Sequence, residues 1–350
     1  MDNKITFKPD IKKIGSKFNT EEIISSSSFV NGLINDTYLV RSKSRKYVLQ
    51  KLHPIFKPSV LIDTDIITRY LLDNGLATPL LVRTKDGNLY FQDENNNCWR
   101  MLTYIPGRCY EKGVTSEQAF SAGLLVGRFH GILSGFDYKF KHKVKDFGNS
   151  KARITKFKRV LKEFEGTEKY KNLAELANEV LESWEKLDDN IDLLPDRIIH
   201  GDLKINNIRF SSAGKAICLL DLDTLGRYKT IMDFAGGART WCNKSNEDDI
   251  ENSKFEIKIF EAMLGGYLSM ARFLSKEEIK MIPAAIEKVI LVLTARFLTD
   301  AFEEAYFKLV TGQYPNLYEQ NKTKALAQLS LYNDLVSKKK YLNKVVKDLL

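Results

Sequence analysis

His200, Asp202, Lys204 and Asn207 fall within eight residues of one another, and Asp221 and Asp223 follow after a short turn. All six lie in residues 198–223, IIHGDLKINNIRFSSAGKAICLLDLD. These residue types suit phosphoryl transfer from a magnesium nucleotide. Mg²⁺ takes oxygen ligands, one or two from protein and the rest from phosphate and water, and Asn207 and Asp221 can supply them. A further acid held beside an acceptor hydroxyl can orient it and take its proton, which is the part open to Asp202. Lys204, two residues on, can reach a transferred phosphate. A plain polar hairpin with Asp- and Asn-rich turns would produce similar text. The apolar flanks and the second pair of acids favour chemistry.

The elements that must position these groups can be read around them. Ile198 and Ile199 anchor the segment in a core, and the chain then leaves that core carrying ionisable groups. Residues 207–210 read as a short strand, 211–215 (SSAGK) as turn chemistry, and 216–220 as a buried apolar strand. The result is a hairpin whose two loop ends bring Asp202, Asn207 and Asp221 close together.

An Asp followed five residues later by Asn, then a metal-binding Asp after a hairpin, resembles the catalytic layout of protein kinases. Gly201 stands where those enzymes have Arg, and Asp221-Leu222-Asp223 replaces Asp-Phe-Gly. Both departures resemble the aminoglycoside phosphotransferase and choline kinase superfamily. The closest resemblance is to N-acetylhexosamine 1-kinase-like enzymes, through INDTY at 34–38, DLDT at 221–224, Asp233-Phe234 and RFLTD at 296–300. It covers nearly the whole chain. It implies an α+β, protein-kinase-like bilobal fold, with a small antiparallel sheet in a nucleotide-binding lobe (1–105) and a mostly helical lobe (106–350). It implies transfer of the γ-phosphoryl group of ATP to a sugar hydroxyl, the anomeric hydroxyl of an N-acetylhexosamine, with Mg²⁺ as the metal. Asp202 is then the base, Lys204 steadies phosphate, and Asn207 and Asp221 bind the metal with Asp223 assisting. His200 and Asp233 support the loop, Asp233 by accepting its backbone N–H groups. Arg239, Arg296 and Asp300 hold the sugar, although Arg296 and Asp300, four apart on a helix, would also make a surface ion pair. Two alternatives stay open: a kinase of cationic acceptors such as aminoglycosides or choline, and a catalytically inactive binding module.

In chain order, residues 1–20 are polar and read as loosely attached, 21–24 as the start of a strand, and 25–32 (SSSSFVNG) as a phosphate-covering loop. Ser28, Asn31 and Gly32 are its candidate nucleotide contacts, since small residues let backbone N–H groups approach phosphate. A return strand (34–41) and a third strand (46–52) follow. Aligned simply, Gln50 takes the place of the phosphate-holding lysine and Lys51 points to the opposite face, so either residue is a candidate contact. Residues 60–74 read as a helix ended by Gly75, with Asp65 the candidate partner of a strand-three cation. Strands follow at 80–84, 89–92 and 98–105, and Pro106-Gly107 marks the hinge. Adenine is expected to hydrogen-bond backbone around Leu102 to Tyr104.

Thr115 to Gln118 is a capping box opening a helix to Leu133, whose His130 reads as a half-buried structural histidine. Residues 151–187 read as helix broken near Gly166, 226–231 as loop, and 255–273 and 280–309 as helices. The acidic cluster 247–251 reads as a helix start, and 324–350 as one long amphipathic helix.

The chain has 350 residues, 43% of them hydrophobic, which suits two globular lobes. No apolar run of 18 residues occurs, so no membrane span is expected, and the first ten residues show no secretory signal. Cys98, Cys109, Cys218 and Cys242 are scattered, with neither zinc nor disulfide spacing, which fits a cytoplasmic setting. The net charge of +9 is spread along the whole chain. It therefore reads as solvated lysine rather than a nucleic-acid surface, and would draw in an anionic nucleotide. A monomer or a homodimer is expected, with a small molecule as the only partner.

Overall fold

The structure, a computed structural model, describes residues 9–29, 35–142, 148–187 and 189–350. Asn31 and Gly32, two of the expected nucleotide contacts, lie outside the described residues, as does Ile34. The chain forms two compact units. The first comprises Met1–Gly107, Asp137–Lys143 and Leu220–Leu225, and the second comprises the rest.

The first unit begins with a short helix, α1 (Ile11–Gly15), capped by the Asp10 side chain. Strands β1 (Ser25–Phe29), β2 (Asp36–Arg41) and β3 (Lys46–Lys51) follow, then helix α2 (Val60–Asp73), β4 (Leu81–Val82), β5 (Phe91–Gln92) and β6 (Cys98–Thr103). They make one antiparallel sheet of order β1-β2-β3-β6-β4, with β5 also on β6. Residues 9–20 are not loosely attached: Ile11, Ile14 and Phe18 are buried with Val40, Tyr47, Leu49, Trp99 and Met101. The expected strand at 21–24 starts later, because the serine run itself is β1, with Ser28 opposite Tyr38 of β2. Serine has no apolar side to signal a strand, and here the pairing partner decides.

Period-two alternation sets the two faces of this sheet. Tyr47 and Leu49 of β3 and Trp99 and Met101 of β6 point into the core. Gln50 and Arg100, directly opposite each other, take the other face. Arg100 is 2% exposed.

The second unit is mostly helical: α3 (Ser116–Leu133), α4 (Ser150–Glu163), α5 (Glu168–Glu185), α6 (Thr230–Trp241), α7 (Ile257–Met270), α8 (Lys276–Lys280), α9 (Ile282–Glu303), α10 (Leu317–Ser337) and α11 (Lys339–Asp348). Two small antiparallel ladders interrupt them. Strand β7 (Asp196–Ile199) pairs with β10 (Gly226–Lys229), and β8 (Ile208–Phe210) pairs with β9 (Ala216–Leu219). Residues 226–229 are thus a strand rather than a loop. The C-terminal helix is two helices, broken at Lys338, whose ammonium donates to the carbonyl of Phe255 and the carboxylate of Asp334. No helix starts in the 247–251 cluster. Glu247 pairs with Lys324 at 3.1 Å, Asp248 accepts from Gln313 and Tyr314, and Asp249 from Asn252.

Helices α3 and α7 cross at glycines. A Cβ on Gly127 would lie 2.4 Å from the carbonyl oxygen of Tyr267, and one on Gly123 2.2 Å from that of Met263. The close approach brings His130 of α3 within 3.1 Å of the Tyr267 hydroxyl.

Candidate active site

In the second unit, β7 ends at buried Ile198 and Ile199, and the chain then turns through Gly201 at φ +85°, a left-handed conformation that glycine adopts without strain. The turn is held from several sides. The backbone N–H groups of His200 and Gly201 donate to the Asp233 carboxylate at 2.8 and 2.9 Å, from the first turn of α6. Asp233 also accepts from His130 Nε2 at 3.0 Å. Nδ1 of His130 faces the hydroxyl of Tyr267, whose phenol burial pushes well above its ordinary pKa, with the Asp233 carboxylate adding to the shift. His200 is fully buried, and its Nδ1 accepts from the Asp202 backbone N–H at 3.2 Å. Trp241 Nε1 donates to the Leu203 carbonyl at 2.8 Å.

These bonds leave the Asp202 side chain part-exposed and fixed in place. Its Oδ2 lies 3.0 Å from Lys204 Nζ, and the Asn207 amide nitrogen donates to the Asp202 carbonyl at 2.9 Å. With that nitrogen committed, the amide oxygen of Asn207 is the atom left for a cation.

Asp202 and Lys204 open onto a cavity of about 320 Å³ within the second unit. Met232, Gly236 and Arg239 of α6 form one wall, and Val289, Val292, Leu293 and Arg296 of α9 another. Asn149, Ser150 and Arg153 at the start of α4 form a third. Arg239 donates to Gln328 at 3.2 Å and lies 3.8 Å from Glu247. Burial lowers its pKa from the ordinary value, against the pull of Glu247 and Asp202, but a guanidinium stays charged. Arg296 donates to the Tyr306 hydroxyl at 3.2 Å and stacks over Tyr306 and Phe307.

Asp300, expected to hold sugar with Arg296, does not line this cavity. It is 2% exposed, accepts the backbone N–H groups of Ala305, Tyr306 and Phe307, and takes a fourth bond from Asn321. Its carboxylate caps the end of α9, so the Arg296–Asp300 pairing is corrected.

In the first unit, Asp221 is exposed and adopts a left-handed conformation, φ 58°. Asp223 is buried, and both its oxygens are used: Arg100 binds them bidentately and Asn35 donates to Oδ2 at 3.2 Å. The assisting metal role expected of Asp223 does not fit that arrangement; its carboxylate neutralises an arginine. Burial alone would lower the pKa of Arg100, but the Asp223 carboxylate outweighs it and holds it above the ordinary value. Gln50 Oε1 accepts from Arg100 Nε at 2.9 Å, and Lys51 pairs with Asp36 on the neighbouring strand at 2.5 Å. The cation expected on the third strand thus stands one strand over. Asp65 pairs with Arg69 and Arg83 rather than with a strand-three group. Leu102 lies inside the ladder between β3 and β4, and Tyr104 follows its last paired residue.

Asn207 and Asp221 are hard oxygen donors of the kind Mg²⁺ takes. Among the described residues no cluster of three or more His, Cys, Asp or Glu could hold a metal alone. Sequence reasoning missed Arg100 and Arg153. Arg100 carried a signal, a charge in the middle of the otherwise apolar run CWRMLTYI; Arg153, one of many cations on α4, carried none.

An antiparallel sheet unit with one long helix, followed by a helical unit holding an Asp-x₄-Asn loop, defines a protein-kinase-like phosphotransferase fold. The chain belongs to the phosphotransferase enzyme family (APH), whose model matches residues 27–254. Kinases of this family use ATP and a divalent metal ion. Similar solved structures include an aminoglycoside phosphotransferase from Alicyclobacillus acidocaldarius, with TM-score 0.67, 14% identity, and 97% of this chain and 98% of that one covered. Another is the amicoumacin kinase hAmiN in complex with AMP-PNP, Ca²⁺ and Ami, at TM-score 0.62 and 16% identity over 90% and 91% of the chains. A third is a microcompartment-associated aminopropanol kinase, at 0.61 and 15% over 93% and 97%. At these identities the likeness concerns the fold.

Proposed function

We propose that this enzyme transfers the γ-phosphoryl group of ATP to a sugar hydroxyl, the anomeric hydroxyl of an N-acetylhexosamine. The observation that carries the reading is the Asp202 carboxylate, fixed by the braced loop and opening onto a cavity that Arg153, Arg239 and Arg296 line together with Asn149 and Ser150. Guanidinium donors suit ring hydroxyls and an acetamido carbonyl, while Val289, Val292 and Leu293 suit a sugar's apolar face.

Asp202 accepts the acceptor hydroxyl's hydrogen bond and then its proton. The new O–P bond forms as the bond from the γ-phosphorus to its bridging oxygen breaks, and ADP leaves. Lys204, 3.0 Å from Asp202, offers its charge to the passing phosphoryl group. Asn207 and Asp221 are the oxygen donors for Mg²⁺, which when bound offsets the negative charge of the phosphates. The backbone near Tyr104 is the candidate nucleotide-side contact. Use of ATP fits a cytoplasmic setting. Among the described residues no helix is long and apolar enough to cross a membrane.

A cationic acceptor is the second reading, favoured by the names of the aminopropanol and amicoumacin kinases. Against it, among the described residues the only carboxylates lining the cavity are Asp202 and Asp233, and both already have partners.

Asp202→Asn keeps size and removes the proton acceptor. We expect kcat to fall about 10²–10⁴-fold with nucleotide affinity nearly unaltered, measured with Mg-ATP and a hexosamine panel. Near-normal turnover would remove Asp202 from the chemistry.

A further inference from the structure

Four cations line the cavity beside Asp202: Arg153, Lys204, Arg239 and Arg296. The two carboxylates there are engaged, Asp202 by Lys204 and Asp233 by the loop backbone and His130. Lys204 is thus paired within the cavity and Arg239 lies 3.8 Å from Glu247 outside it, which leaves Arg153 and Arg296 without a carboxylate among the described residues. Arg153 is the plainest case. On α4 its neighbours Lys151, Lys156, Lys158 and Arg159 each pair with a carboxylate, those of Asp192, Glu303, Glu185 and Glu163. Among the described residues Arg153 has none, and it is the one of these that lines the cavity. Lys162 also lacks a partner on α4 but lies away from the cavity. A neutral sugar needs donors from its pocket but no surplus of guanidinium charge, whereas a carboxylate or phosphate pairs with guanidinium through two parallel hydrogen bonds.

We infer that the acceptor carries an anionic group of its own, as a sugar acid or sugar phosphate does, and that Arg153, with Arg239 and Arg296 beside it, receives that group. This rests on the reading of Asp202 as the base and of the cavity as the acceptor site. It narrows the acceptor from a neutral hexose to an acidic one. Met232 and Leu293 cover the ring, and the anion sits toward α4.

A matched series on one ring tests it: glucose, N-acetylglucosamine, glucosamine, glucuronate and glucose 6-phosphate. Turnover is read as kcat/KM with Mg-ATP, and binding separately by calorimetry without nucleotide. One or both acids should exceed glucose in kcat/KM and affinity, with KM rising as salt is added. The two acids distinguish a carboxylate from a phosphate. Because Arg153 is exposed, Arg153→Gln should lower the acid-to-glucose ratio roughly three- to tenfold, and Arg153→Lys should restore part of it. Equal binding of acids and glucose overturns the inference, as does failure of both acids to bind, or an Arg153→Gln ratio equal to wild type. If an acid binds through Arg153 but no sugar is phosphorylated, the kinase reading of the site fails while the anion site stands.

Discussion

Arg100 decides more of the first unit than any other charged residue. It is buried, its guanidinium binds both oxygens of Asp223, and Gln50 holds its Nε. Breaking a buried pair by removing one partner strands the other charge, which costs about 3–5 kcal/mol. Arg100→Gln should therefore lower the urea midpoint sharply. Arg100→Lys should recover part of the loss, since an ammonium keeps the charge but cannot span two oxygens as a guanidinium does. Equal stability of the two variants would mean that the charge pair contributes little. The third strand showed in the sequence where the family's lysine was missing. It did not show where the charge had gone, because Gln50 and Arg100 meet only through strand pairing across fifty residues of chain. Asp202, Lys204 and Asn207 were legible because all three lie on one short loop. Asp300 was misassigned because a carboxylate four residues from an arginine looks the same whether it faces a ligand or caps a helix.

Among the elements, the crossing of α3 and α7 is the support behind the catalytic loop. It runs from Gly127 against Tyr267, through His130, to Asp233 and the backbone of His200 and Gly201. Gly127→Ala places a methyl group against the Tyr267 carbonyl, and overpacking of this kind costs about 1–3 kcal/mol. Both Tm and kcat should fall. Gly236→Ala is the contrasting case on α6: its Cβ would meet nothing within 4 Å, and Gly236 lines the cavity. Its Tm should hold or rise, as alanine favours helix, while KM for the acceptor rises. A Tm loss equal to that of Gly127→Ala would show that the wall at Gly236 is not open space. Helices with strong periodicity and caps, such as α3 with its Thr115 capping box, were legible. Elements set by distant partners were not. The serine strand needs β2, β10 needs β7, and the break at Lys338 comes from α7's side of the core, with neither Gly nor Pro to announce it.

At the scale of the whole molecule the chain forms two compact units, the first assembled from three separate stretches of chain. Asp221, exposed on the last of them, is the group on which metal dependence is expected to turn. Asp221→Ala should weaken ATP binding measured with Mg²⁺ more than binding measured in EDTA, because this carboxylate would be one of the oxygen donors that hold the metal. Equal loss in both conditions would rule the metal role out. The same three-part assembly constrains the order in which the protein can be made. Arg100 leaves the ribosome 123 residues ahead of the carboxylate that neutralises it, an interval of roughly 6–25 s at usual rates of synthesis. Residues 138–142, which bond to Asp63 of α2, arrive in between. A nascent sheet that closed over Arg100 before Asp223 emerged would bury a bare cation, so the N-terminal unit has to stay open while most of its successor's first helices are translated. Its final closure is timed by a peptide that belongs, in the order of translation, to the other half of the protein.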